Sequence, residues 1–316
     1  QRISLSRSEV SEAHLKIDAG QDESRHEPLQ LPAIDLPLQL FIDNFSLARS
    51  YWEFGGQKTA LDAIALRGSW VRQSIAVEVL SIAHPQWGEL RAAGDAKLAG
   101  HWPFSIVGSL QTASVTDWSQ QHQLEVELLT PVAFTAAGDL QQQLFHVTGA
   151  AHGLGYMAAE LEIRARLVGQ QLTLEHLSFG EKTAPDALVM TGGISLAPTL
   201  SGQFKLRANE FVIPQFNDSI SGVVSGQGEA LGEVSGDQWH IALSNLGLTG
   251  DVNSLPATVE GYLHVASGMR TGRSALEANL NGLSLKVSSD TDNSERASVQ
   301  LTAENIGRWI DDTSGS

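Results

Sequence analysis

The chain has 316 residues, with 20 Lys and Arg against 36 Asp and Glu, so its formal net charge is −16. This excess of negative charge argues against a nucleic-acid-binding protein, because contacts to phosphates need clustered Lys and Arg. The absence of Cys excludes disulfides, thiolate zinc sites and cysteine nucleophiles. Apolar residues make up 42% of the sequence, which is enough for a folded core. The sequence contains no run of about 18 apolar residues, the length that a transmembrane helix needs.

The first 30 residues differ in composition from the rest of the chain. The stretch from Asp18 to Glu27 is charged and poor in apolar residues, which is typical of a linker. We therefore predict a partly disordered polar lead-in over 1–30 and a continuous array of β-strands over 31–316. The start at Gln1 and the polar residues of 311–316 indicate a piece of a longer protein.

The pattern along 31–316 is that of strands. In a half-buried strand, apolar and polar side chains alternate because successive residues point to opposite faces. Such runs recur between turn-forming pairs such as Gly55-Gly56, Gly192-Gly193 and Asn281-Gly282. Repeated short strands at intervals of about ten residues predict an all-β fold. The alternating apolar runs include Leu36-Leu38-Leu40-Ile42, Ile75-Val77-Val79, Leu124-Val126-Leu128, Leu161-Ile163-Ala165-Leu167 and Leu172-Leu174.

Two architectures use such apolar faces. Two sheets can close into a dry core, as in a structural β-array that binds other proteins, or one sheet can curl around an open apolar groove that contacts lipid acyl chains. Both need the same alternation, so the pattern leaves both open, and it does not determine which parity would face a groove. The residues predicted to line the groove are Leu38, Leu40, Ile42, Ile75, Val77, Val79, Leu161, Ile163, Leu172 and Leu174.

One glycine-rich segment has the form of a nucleotide-binding turn. Thr148 to Gly155 reads T-G-x-x-x-G-x-G, as in short-chain dehydrogenases, where the glycines let backbone N–H groups approach a pyrophosphate at the start of a helix. The catalytic Tyr-x-x-x-Lys of those enzymes is absent, and Leu161 to Leu167 alternates as a strand. The favoured interpretation is a glycine-rich turn between two strands, and an NAD(P)-binding dehydrogenase is the minor alternative.

No other motif predicts catalysis or metal binding. The ten His are scattered, and none forms the H-E-x-x-H pair of a zinc protease. His146 and His152 are six residues apart in a glycine-rich stretch and are interpreted as exposed loop residues. The sequence thus predicts no catalytic residue, no metal and no cofactor, and the protein is predicted not to be an enzyme.

Two segments resemble a known family. Residues 36–47 read LPLQLFIDNFSL and follow a charged linker, and residues 88–106 read GELRAAGDAKLAGHWPFSI. Both resemble segments of the TamB-like proteins, the inner-membrane-anchored subunits of the translocation and assembly module within the AsmA-like group. The resembling motifs are structural, so they assign no catalytic residue.

The resemblance implies a fold, a place and a role. The expected fold is an elongated β-taco, a curled sheet of repeated short strands with an apolar groove. The expected place is the periplasm, where an N-terminal anchor outside this piece tethers the protein to the inner membrane. The expected role is to conduct phospholipids between the inner and outer membranes and to support outer-membrane protein assembly. The implied partners are phospholipid acyl chains and a TamA-like outer-membrane barrel, the latter contacted through regions outside this piece.

Overall fold

The structure, a computed structural model, describes residues 2–11, 14–17, 32–54, 57–84, 88–111, 126–153, 156–196, 199–216, 220–236, 238–267, 270–289 and 297–303. Within these ranges the regular elements are all β-strands, and no helix is long and apolar enough to cross a bilayer. The strands are β1 (Arg2–Leu5), β2 (Ser8–Ser11), β3 (His14–Ile17), β4 (Leu36–Phe54), β5 (Gln57–Arg72), β6 (Ser74–His84), β7 (Gly88–Lys97), β8 (Phe104–Gln111), β9 (Val126–Leu128), β10 (Val132–Gly138), β11 (Gln142–Gly153), β12 (Tyr156–Val168), β13 (Gln171–Glu181), β14 (Ala184–Ser195), β15 (Leu200–Phe216), β16 (Ile220–Ser235), β17 (Gln238–Val252), β18 (Leu255–Ala266), β19 (Arg270–Thr271), β20 (Ser274–Leu280), β21 (Leu283–Ser289) and β22 (Ser298–Ala303).

The chain divides into two compact units. Unit 1 contains residues 1–152 and 162–169, and unit 2 contains residues 153–161 and 170–316. In unit 1, β4 to β8 pair in chain order as an antiparallel meander, β8 pairs with β10, and β10 pairs with β11. In unit 2, β13 to β18 form a second antiparallel meander that continues through β20, β21 and β22.

The N-terminal segment pairs differently from the rest. The short strands β1, β2 and β3 lie parallel to β4 and pair with it in sequence along its length. Part of the predicted polar lead-in therefore forms strand structure, and residues 18–31 lie outside the described residues.

The strands are longer than the runs of alternation in the sequence. β4 has 19 residues and β15 has 17. The β4–β5 register shifts between Ile42 and Phe45, and the β15–β16 register shifts between Ala208 and Phe211. A β-bulge adds a residue to one strand and changes which parity faces each side. A long strand with bulges therefore reads in the sequence as several short ones.

Glycines lie where neighbouring strands approach most closely. A Cβ added to Gly94 would stand 2.2 Å from the Ser105 carbonyl oxygen, and one on Gly192 would stand 2.2 Å from that of Gln203. Only glycine permits such approaches, which let a sheet curl more tightly than an ideal pleat. The prediction of a turn at Gly192-Gly193 is wrong, because both residues lie inside β14, whereas Asn281-Gly282 does form a turn. Gly55-Gly56 lies outside the described residues.

The described residues contain little closed core. Among them, five apolar residues are fully buried, namely Leu98, Tyr156, Ala159, Ala187 and Ala208. Most other apolar side chains on the strands are half-buried, and several are exposed by more than a third. The predicted fold class, an all-β curled sheet of the β-taco kind, is confirmed.

Candidate functional site: the apolar faces of the two units

Cross-strand pairing shows which side chains share a face in unit 1. Residues directly opposite each other in an antiparallel pair project to the same side of the sheet. We call the side that carries Leu40 and Ile42 the apolar face of unit 1. One row across it is Leu40, Trp70, Ile75, Ala96 and Phe104. The next row is Ile42, Gly68, Val77, Gly94, Ile106, Ala136 and Phe145.

Four of the predicted groove residues therefore come together. Leu40 and Ile75 stand in one row, and Ile42 and Val77 stand in the next. Leu38 has the same parity as Leu40 along β4, and all five side chains are half-buried. Neither row contains a charged side chain, so this part of the sheet offers a continuous apolar surface.

Val79 lies on the other side of the sheet, although it shares the parity of Val77. The β5–β6 register shifts here, so that Val77 is opposite Gly68 while Val79 is opposite Arg67. Adjacent residues of β5 point to opposite faces, and the bulge therefore separates the two valines. The side chain of Val79 is 38% exposed, and the neighbouring Arg67 and Glu78 form an ion pair at 2.8 Å.

Unit 2 has an apolar face of the same kind, which we define by the side that carries Leu172 and Leu174. Both residues are half-buried, and neither of the rows below contains a charged side chain. The first row is Leu172, Ile194, Gly202, Gly232, Ile241 and Val265. The second row is Leu174, Gly192, Phe204, Ala230, Leu243 and Leu263.

Leu161 and Ile163 complete the predicted set. Both lie on β12, where apolar residues at odd positions are half-buried while Arg164 and Arg166 are exposed. The alternation predicted for this segment is confirmed. Leu161 belongs to unit 2 and Ile163 to unit 1.

The charged side chains concentrate on the opposite, polar face of each unit. In unit 1, Glu162 contacts Arg164 Nε and His146 Nε2, both at 2.8 Å, and these two contacts hold the pKa of the Glu162 carboxyl below its usual value. In unit 2, Lys286 Nζ lies 3.0 Å from a carboxylate oxygen of Glu277 and lowers the pKa of that carboxyl. These pairs are solvated, so their contribution to stability is small. Their charged groups lie on the polar face and not on the apolar face.

The glycine-rich segment does not begin a nucleotide-binding helix. Thr148 to Gly153 form the end of β11, and the following Tyr156–Val168 is strand β12. The helix N-terminus that would bind a pyrophosphate is therefore replaced by extended backbone. Residues 154–155 lie outside the described residues. The prediction that His146 and His152 are exposed loop residues is wrong in part, because both lie within β11. His146 is half-buried and contacts Glu162, whereas His152 is exposed.

Sequence reasoning missed a second group of residues in the apolar rows. Gly68, Gly94 and Gly192 stand within these rows, at points where the backbone of a neighbouring strand comes too close for a Cβ. The aromatic residues Trp70 and Phe204 also belong to the rows. The parity that they share with nearby leucines of the same strands could have identified them. In the described part of the chain, no group of three or more His, Asp or Glu residues is arranged to hold a metal ion.

Comparison with known proteins gives one family. The family model described as "TamB, N-terminal domain" matches the chain in two overlapping segments, residues 3–130 and residues 117–316. No curated protein and no solved structure matches the chain at a significant level. The two segments together include nearly every residue of both units.

Proposed function

Because this chain belongs to the TamB N-terminal domain family, we propose that the apolar faces of its two units bind phospholipid acyl chains and conduct lipid between the inner and outer membranes. The family is a transport and assembly module rather than a family of enzymes. The proposed place of action is the periplasm, in a protein tethered to the inner membrane. The proposed outer-membrane partner is a TamA-like barrel. Lipid delivery would support the assembly of outer-membrane proteins by that barrel.

The observation that carries this proposal is an apolar surface that the described residues leave partly exposed. The apolar rows contain no charged side chain, and Ile241 in one of them is 48% exposed. Each buried CH₂ group of an acyl chain gains about 0.8 kcal/mol, so a chain lying along such a row is stabilised without any polar contact. Contacts of this kind are broad and weak, which suits a passage better than a storage site.

The polar faces support the same orientation. An acyl chain would avoid the side of unit 1 that carries the Arg67–Glu78 and Arg91–Glu89 ion pairs, both with N–O distances of 2.8 Å. The sheet would thus have a water-facing side and a lipid-facing side. A closed sandwich that only binds proteins needs a dry core, and the few fully buried apolar residues in the described parts disfavour that alternative.

Photo-crosslinking tests the proposal with pairs of residues of the same type on opposite faces. A photoreactive residue in place of Val77 or Leu243 should form phospholipid adducts in cells. The same residue in place of Val79 or Leu231, which lie on the polar faces, should form few. Equal adduct yields on both faces, or no adducts on either, would contradict the proposal.

A further inference from the structure

Unit 2 contains a split between two neighbouring strands. The ladder between β14 and β15 ends at the pair Leu188–Ala208. On the far side of that pair, residues 184–187 of β14 lead to the hairpin that joins β14 to β13. β15 instead continues to Phe216 and remains paired with β16 on its other side. The bulge in β15 between Ala208 and Phe211 accompanies the change, and Glu210 has a positive φ of 52° there. The two strands therefore separate toward one end of the sheet.

A tyrosine from β12 fills this split. The hydroxyl oxygen of Tyr156 accepts a hydrogen bond from the Val212 backbone N–H at 2.9 Å, in the part of β15 that lies beyond the ladder. Tyr156 is only 6% exposed, and its burial raises the pKa of the phenol. A side chain thus takes the place of a strand as the hydrogen-bond partner of this amide.

Two phenylalanines pack against the tyrosine. The Tyr156 ring lies 5.2 Å from Phe179 and 6.1 Å from Phe211, and the two phenylalanine rings are 6.4 Å apart. Phe179 stands in register with Leu188 and Ala208, and Phe211 is opposite Val224. Ala159, Ala187 and Ala208 are fully buried, so this is the most completely packed place among the described residues of unit 2.

The outer side of the split carries an exposed apolar side chain next to a carboxylate. Met157 follows Tyr156 directly and is 78% exposed, and its backbone N–H donates to Glu181 Oε1 at 3.2 Å. The exposed thioether offers a flexible apolar contact beside the closed aromatic cluster. An apolar ligand could therefore find apolar side chains outside, within and beyond the split.

We propose that this split is a side entrance through which a single acyl chain reaches the apolar face of unit 2, and that Tyr156 closes it. A ladder of backbone hydrogen bonds opens only by local unfolding, whereas a ring held by one hydrogen bond and two aromatic neighbours opens by changes of side-chain rotamer. The rings of Tyr156, Phe179 and Phe211 fit a hydrocarbon chain, and the Glu181 carboxylate beside Met157 repels the phosphate of a lipid headgroup. This inference rests on the proposed lipid-binding function of the apolar face.

The absence of Cys from the sequence provides a clean test. The Ala208→Cys variant carries a single thiol at the edge of the split, in register with Leu188 and Phe179, and the Leu243→Cys variant carries one on the apolar face. Each variant of the full chain is treated with a maleimide carried on an acyl chain in phospholipid vesicles, and separately with a sulfonated, water-soluble maleimide. Tyr156→Phe then removes the hydrogen bond to Val212 and keeps the ring, and Tyr262→Phe on the polar face is the matched control.

Tyr156→Phe should raise the rate at which the acyl-carried reagent labels the thiol at position 208 by about tenfold, the change expected from losing one buried hydrogen bond. Hydrogen exchange at the Val212 amide should accelerate in the same variant. Tyr262→Phe should change neither quantity. Phe211→Ala should increase labelling further, and thermal unfolding checks that each variant remains folded.

The outcomes separate the two proposals. If the acyl-carried reagent labels the thiol at position 243, but labelling at position 208 is unaffected by Tyr156→Phe and Phe211→Ala, the side entrance is wrong and lipid binding stands. If the water-soluble reagent gains as much as the acyl-carried one, the split merely unfolds and the entrance is again wrong. If the acyl-carried reagent never labels the thiol at position 243, the proposed function fails and the entrance with it.

Discussion

Two valines of β6 provide the most specific prediction. Val77 and Val79 are two residues apart, yet the bulge places Val77 on the apolar face and Val79 beside Arg67 on the polar face. We expect Val77→Arg to reduce lipid binding strongly and Val79→Arg to leave it nearly unchanged. The matched substitution gives both variants the same added charge in the same strand.

The expected size follows from the surroundings of Val77. It stands between Gly68 and Gly94, so no neighbouring side chain in its row shields a lipid from an arginine at this position. A charge at the centre of a hydrocarbon layer costs about 2.5–3.5 kcal/mol. Since each 1.4 kcal/mol is a factor of ten, occupancy of the row should fall roughly a hundredfold.

The assay places a photoreactive residue at Ile42, which shares the row of Val77. The purified chain is irradiated with phospholipid vesicles, and lipid adducts are counted by mass spectrometry. Val77→Arg should nearly abolish the adducts, while Val79→Arg should retain at least half of them. The long aliphatic stem of arginine covers apolar surface, so both variants should remain folded. Equal losses in the two variants, or no loss in either, would refute the assignment of the faces.

Two further predictions concern stability. Gly94→Ala would place a Cβ 2.2 Å from the Ser105 carbonyl oxygen and should lower the free energy of unfolding by about 1–3 kcal/mol. Gly247→Ala is the control, because its Cβ meets no atom within 4 Å, and it should be neutral or slightly stabilising. Equal urea midpoints for the two variants would contradict the argument. The lowered pKa of Glu162, caused mainly by Arg164, means that the folded state binds fewer protons than the unfolded state, so stability from this contact is present at neutral pH and is lost as the pH falls below 4.5. Glu162→Gln should therefore flatten the fall of the thermal midpoint between neutral and acid pH, and an unchanged slope would show that the contact contributes nothing.

Alternation alone predicted the strand class and four neighbours on one face. Leu40, Ile42, Ile75 and Val77 were predicted from parity within short runs, and the ladders bring them into two adjacent rows. Parity failed at Val79 because a bulge depends on the register of both neighbouring strands, which no local run encodes.

Contacts between distant residues were beyond the sequence pattern. Tyr156 and Val212 are 56 residues apart, and their hydrogen bond exists because β14 and β15 separate. The glycine pair at 192–193 was interpreted as a turn, since glycine favours turns and close strand approaches alike and the sequence alone does not separate the two.

The central claim is that hydrocarbon from outside the chain covers the apolar faces. Native mass spectrometry of the chain purified without detergent measures this most directly. The account predicts at least one phospholipid bound to each chain, released by Val77→Arg combined with Leu243→Arg and retained by Val79→Arg combined with Leu231→Arg. A folded chain that carries no lipid, and that takes none up from phospholipid vesicles, would contradict it.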